Sequence, residues 1–179
     1  MKMLSCAVTG HRPTRFKFKC KENTSGCKRL KKRLYDQFVL LYEKRVRQFY
    51  VGGALGVDMW AAEILLRLKE RPGFEEVNLI VILPYDGHDV NWDERSKTRM
   101  QFIRDHARVI VVSNIHDVDS YSKCNRYMID RADYLVAIYD NVKNLRTGTM
   151  QTVKYAEDKG VPIIFIHSDT AVISSSKIG

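Results

Sequence analysis

Apolar positions along the chain follow two rhythms. Continuous runs at Met3–Val8, Phe49–Val51, Val77–Leu83, Arg108–Val112, Tyr134–Tyr139 and Ile163–Ile166 have the length and composition of strands. The run Val77–Leu83, closed by Pro84, reads as a strand covered on both faces. Between the runs, apolar residues recur every three or four positions. Leu30, Leu34, Phe38 and Leu41 mark a helix from an N-cap at Ser25 to about Arg47, with lysines and arginines on its other side. Val57, Trp60, Ala61, Ile64, Leu65 and Leu68 line a second helix, ended by Pro72-Gly73. Further helices are expected over about 93–106, about 123–131 and 148–159, the last with Gly160 at its C′ position. Residues 172–179 read as a frayed tail. About six strands alternating with helices predict one α/β domain over residues 1–179. Its sheet is mainly parallel and doubly wound, with helices on both faces, because parallel neighbours need crossover helices. There is no internal repeat or linker.

Ligands in such sheets sit at the carboxyl ends of the strands, where strand order reverses. The chain puts its unusual residues at those ends. Thr9, Gly10, His11 and Arg12 follow the first strand. Gly52, Gly53 and Gly56 follow the second and lead into a helix near Val57 or Asp58. Glycine permits a sharp turn and a close approach to a ligand, and a helix start offers unpaired N–H groups, so this turn is a candidate phosphate-binding loop. The spacing is GGxxG, neither GxGxxG nor a phosphate loop ending in GK[ST]. Asp58 in the first helical turn would repel a phosphate there and is expected to bond ribose or base instead. Trp92, in the polar loop after the third strand, could stack on a base or cap the sheet edge. Asp140 ends the fifth strand, and Gly148-Thr149 opens another helix as a second anion site, with Arg146, Arg12 and Arg126 as candidate phosphate partners. His11 is either a general acid or base or a plain hydrogen-bonding residue. The other histidines lack metal spacing, so no metal site is predicted.

Charge and cysteines narrow the setting. The formal net charge is +9, much of it between Arg12 and Lys44, which suits an anionic small molecule or nucleic acid, or simply a solvated helix face. Cys6, Cys20, Cys27 and Cys124 form no CxxC pair. With no secretion signal and no membrane-length apolar run, reduced thiols, a cytoplasmic location and no membrane partner are expected.

With these residues in view, the chain resembles the SLOG superfamily and, within it, the YpsA-like branch. That superfamily joins DNA-processing protein A with the "lonely guy" phosphoribohydrolases. The resemblance is carried by TGHRP at 9–13, GGALGVDMWAAE at 52–63, LPYDGHDVNW at 83–92, CNRYMIDRAD at 124–133, LVAIYD at 135–140 and GTMQTVKYAEDKG at 148–160. It implies a Rossmann-like fold and a nucleotide-derived ligand, similar to ADP-ribose or NAD, with Gly56, Asp58 and Trp92 at the matching positions. Phosphoribohydrolase members carry PGGxGTxxE, whose glutamate helps break the N-glycosidic bond. Here the GT of Gly148-Thr149 remains, while Gln151 and Thr152 stand where carboxylates are expected.

The expectation is therefore a binding or sensor protein for ADP-ribose, NAD or a mononucleotide, with no cofactor required. The alternatives are a nucleotide or NAD glycohydrolase and a single-stranded nucleic-acid binder. A homo-oligomer is compatible with the fold class.

Overall fold

The computed structural model describes residues 2–114, 116–142 and 147–176. Seven strands form one sheet in the order β4-β3-β2-β1-β5-β6-β7. The central strand β1 (Leu4–Gly10) pairs in parallel with β2 (Val46–Gly52) on one side and with β5 (Tyr134–Tyr139) on the other. From β2 the sheet continues through β3 (Asn78–Leu83) to β4 (Arg108–Val111); from β5 it continues to β6 (Ile163–His167). Every one of these pairings is parallel, so each connection crosses over a face of the sheet.

Side chains alternate across a strand, and here each face meets its own helices. Cys6, Val8, Phe49, Val51 and Val81 pack under α1 (Ser25–Glu43), α2 (Val57–Lys69) and α3 (Glu94–His106). Ala7, Tyr50, Ile82, Leu135 and Ala137 pack under α4 (Ser120–Arg131) and α5 (Gly148–Asp158). The apolar stripe read in α1 is buried as its spacing requires: Leu34 and Phe38 are fully covered. Trp60 of α2 is also buried, its ring 5.2 Å from Phe16 and 6.0 Å from Phe18, so the segment after β1 is fastened across α2 by aromatic contact.

Several boundaries differ from the sequence pattern, and the N-cap of α1 is Thr24, whose hydroxyl accepts the Cys27 N–H at 3.3 Å, in place of the expected Ser25. The helix expected to reach Arg47 stops at Glu43, and β2 already begins at Val46. Arg45 takes a left-handed conformation (φ 73°) that breaks the helix, and buried Val46 enters the sheet. The helix expected from about 123 starts at Ser120. The tail expected at 172–179 is a strand in part: β7 (Ile173–Ser175) adds to β6 in antiparallel fashion. A tight turn makes this pairing. His167 Nδ1 accepts the Asp169 and Thr170 N–H groups, and the His167 carbonyl accepts from Ala171 N–H at 2.8 Å. Such turn bonds leave no mark in apolar spacing. No helix among the described residues is long and apolar enough to cross a membrane.

Candidate functional site

β1 and β5 are neighbours whose connections leave toward opposite faces, and the loops after them part to open a crevice at the strand ends. The cleft there has a volume of about 460 Å³, within the range of small-ligand sites. Thr9, Gly10 and His11 line it from the end of β1, followed by Arg12, Thr14 and Arg15. Ala54 and Asp58 come from the β2–α2 side, Tyr121 and Asn125 from α4, and Thr147, Gly148 and Thr149 from the start of α5.

The α5 end carries the anion chemistry. Thr147 is the N-cap, its hydroxyl accepting the Met150 N–H at 3.1 Å. Helix geometry leaves the Gly148 and Thr149 amides without an intrahelical acceptor. Apart from its chain neighbours and the helix's own backbone, no described residue comes within 4 Å of where a Cβ on Gly148 would stand. The helix start offers two donors and a positive dipole end.

His11 lines the cleft and is buried against Asp140. The His11 side chain is 2% exposed, and its Nε2 stands 3.4 Å from the Asp140 backbone nitrogen and 3.3 Å from Asp140 Oδ1. Burial lowers the imidazole's basicity more than the carboxylate beside it raises it. The ring is thus neutral near pH 7, with Nε2 accepting the Asp140 N–H. Burial acts to raise the Asp140 carboxyl, but the Val142 N–H and the Arg15 guanidinium, with Nη2 at 2.8 Å, outweigh it and hold it below the usual range. Arg15 is thereby engaged by Asp140. Arg12 instead lies over the Tyr121 ring, 5.0 Å from its centroid.

Asp58 is the one carboxylate lining the cleft among the described residues. Burial pushes its pKa up to about 7, only partly opposed by the Ala54 N–H bond at 3.1 Å and by Arg12. It therefore exchanges a proton near neutrality and can donate to or accept from a ligand.

The glycines play a different part from a phosphate cradle at the cleft: none of Gly52, Gly53 and Gly56 lines it. A Cβ on Gly52 would stand 2.6 Å from Asp58 Oδ2, so that glycine makes room for the carboxylate. A Cβ on Gly53 would lie 2.4 Å from Leu83 and 2.9 Å from His88 Nε2, and His88 bonds the Gly53 carbonyl at 2.8 Å. Burial keeps His88 neutral, so this nitrogen donates its proton to the carbonyl. Gly56, the N-cap of α2, has φ 88° and would press a Cβ to 2.9 Å from the His11 carbonyl. The turn thus seats Asp58 and closes under the loop after β1. Gly10, in turn, lets β1 touch α2: its missing Cβ would meet Val57 at 2.5 Å.

Three other expected residues do not line the cleft: Asp140, which pairs with Arg15 and His11, Trp92 and Arg126. Trp92 packs edge-on against His88, with ring centroids 5.2 Å apart. Arg126 lines a smaller groove of about 180 Å³ between α4 and α5, which shares Asn125 with the cleft. Arg146 lies outside the described residues. Thr14, Arg15, Tyr121 and Asn125 line the cleft without having been expected. Tyr121 and Asn125 stand one turn apart, an i, i+4 pair that the short polar helix gave no reason to single out. A groove of about 650 Å³ between α5 and β5–β7 holds none of the expected residues. Among the described residues no cluster of metal-ligating side chains occurs.

A mainly parallel sheet with a crevice where its connections part makes this a Rossmann-like α/β domain. The family model YpsA, described as YspA SLOG family, matches residues 6–171, and the chain belongs to that family. It is 26% identical over 176 residues to UPF0398 protein YpsA of Bacillus subtilis, covering 94% of each chain. It is 27% identical over 140 residues to a UPF0398 protein of Bacillus cereus, covering 76% of this chain and 74% of that one. Two solved structures share the fold. DNA processing protein A from Streptococcus pneumoniae aligns with a TM-score of 0.61 at 17% identity, over 91% of this chain and 50% of that one. The Helicobacter pylori protein of the same name, whose structure concerns its single-stranded DNA binding mode, aligns at 0.60 and 18% identity over 90% of this chain and 64% of that one. The chain thus spans between half and two thirds of those structures.

Proposed function

We propose that this protein binds a nucleotide-derived small molecule, of the ADP-ribose, NAD or mononucleotide kind, in the cleft between β1 and β5. The observation that carries the reading is the polarity of that cleft. Free amides and a dipole end at Gly148 and Thr149 face an anion, while Asp58 on the α2 side offers a proton-exchanging carboxyl to a hydroxyl or base. Arg12 adds a cation to the same lining. Ribose and phosphate together need this combination, which a purely anionic ligand does not. Isothermal calorimetry at pH 7 with ADP-ribose, NAD and AMP tests it: saturable binding is expected for at least one, and no heat at millimolar ligand contradicts it.

Hydrolysis of the ligand is a weaker reading. Thr152 spends its hydroxyl on the Gly148 carbonyl at 2.9 Å, and Gln151 lines the neighbouring groove. Among the described residues of the cleft, Asp58 is then the carboxylate at hand to stabilise a cation-like transition state. Release of free base on long incubation would establish it. A single-stranded nucleic-acid reading draws on the net charge of +9 and on exposed Lys28 and Arg29 of α1. However, Lys31 pairs with Glu22, and Lys32 and Arg33 with Asp36, which lowers the charge that face presents. Binding of this kind weakens steeply with salt, and a flat salt response excludes it.

A further inference from the structure

Tyr121 and Asn125 are the two α4 residues that line the cleft, and their i, i+4 spacing puts them on one face of the helix. We propose that they form its base-binding wall: a nucleobase packs against the Tyr121–Arg12 pair and bonds the Asn125 carboxamide. This rests on the nucleotide reading above and names the part of the ligand that α5 leaves unread. Bases stack on aromatic rings and on guanidinium planes, and here both are present, with the Arg12 guanidinium carbon 5.0 Å from the Tyr121 ring centroid. The ring is held in place beforehand. Tyr85 lies near its hydroxyl, and the Tyr85 ring packs at 4.7 Å on that of His116. A wall fixed in advance loses little side-chain freedom on binding.

Asn125 supplies what stacking cannot. Its carboxamide has a donor and an acceptor side by side, the pattern that pairs with the adjacent amino group and ring nitrogen of adenine. The indole of Trp92 is committed to His88, so Tyr121 is the aromatic ring that the cleft offers to a base.

The test compares AMP with ribose 5-phosphate, which differ by the base alone. Calorimetry on the wild-type chain is expected to show AMP binding at least about tenfold tighter. In Tyr121→Leu and in Asn125→Ala, AMP is expected to fall toward the ribose 5-phosphate value while ribose 5-phosphate itself is unchanged. Tyr121→Phe, which keeps the ring, is expected to keep the preference, with circular dichroism confirming that each variant is folded. An unchanged AMP preference in both Tyr121→Leu and Asn125→Ala overturns the wall and leaves the nucleotide reading intact. Equal loss of both ligands overturns it as well, by assigning Tyr121 to structure. Wild-type protein that binds both ligands equally has no base subsite, and one that binds neither overturns the wall; the nucleotide reading falls with it only if ADP-ribose and NAD fail to bind as well.

Discussion

Replacing Asp58 by asparagine isolates the contribution of the cleft's carboxyl. In Asp58→Asn the carboxamide keeps an oxygen to accept the Ala54 N–H and fills the same space beside Gly52, but it cannot ionise. In the folded wild type the pKa of Asp58 is raised from 3.8 to about 7, so between those values the native state holds a proton that the unfolded chain has released. Stability therefore falls as pH rises through that window and levels off above pH 7. At about 1.4 kcal/mol per pKa unit, the wild type should lose roughly 2.5 kcal/mol between pH 5 and pH 8 through this group. Water in the open cleft screens part of this, so a difference of about 2 kcal/mol is expected. Urea unfolding of both proteins at pH 5, 6, 7 and 8 measures it. Other groups titrate alike in the two and cancel in the comparison. The variant should gain on the wild type as pH rises, and parallel curves would refute the claim that this carboxyl is held in a desolvated place.

Three further outcomes follow from packing and charge. Gly10→Ala drives a Cβ into fully buried Val57 and should destabilise by about 1–3 kcal/mol in urea unfolding. Arg99 bonds Glu22 and Glu63 together, tying the segment before α1 to α2 and α3. Arg99→Ala leaves two half-buried carboxylates without that partner and should cost about 2 kcal/mol at pH 7, read from urea unfolding. Asp140, with its pKa held below 3.8, adds stability above that value and loses it as pH falls through its folded pKa. Asp140→Asn should therefore be less stable by about 1 kcal/mol at pH 7, the gap closing as pH falls through the lowered range of the carboxyl, read from thermal unfolding against pH.

The layers of the fold are written in apolar spacing, since burial on two faces and on one face leaves different periods. Strands β1 to β6 and the faces of α1 and α2 can be read that way. Strand β7 cannot, because hydrogen bonds to the ring and carbonyl of His167 make its turn, and its three residues are exposed. At the site, chain position located Thr9 to Arg12, Asp58, Gly148 and Thr149, which all line the cleft. What spacing could not show was which neighbours a glycine makes room for. Gly52 yields to Asp58 and Gly56 to the His11 carbonyl, so the turn is shaped for protein atoms. Trp92 and Tyr121 show the same limit. Both are aromatics near strand ends, and only tertiary packing sends one against His88 and the other to the cleft.

The most direct test of the central claim is backbone amide NMR of ¹⁵N-labelled protein titrated with ADP-ribose. Saturable shifts at Gly148 and Thr149, accompanied by Gly10 and His11, are the expected result. An unperturbed α5 start, with shifts elsewhere or none at millimolar ligand, would contradict the account.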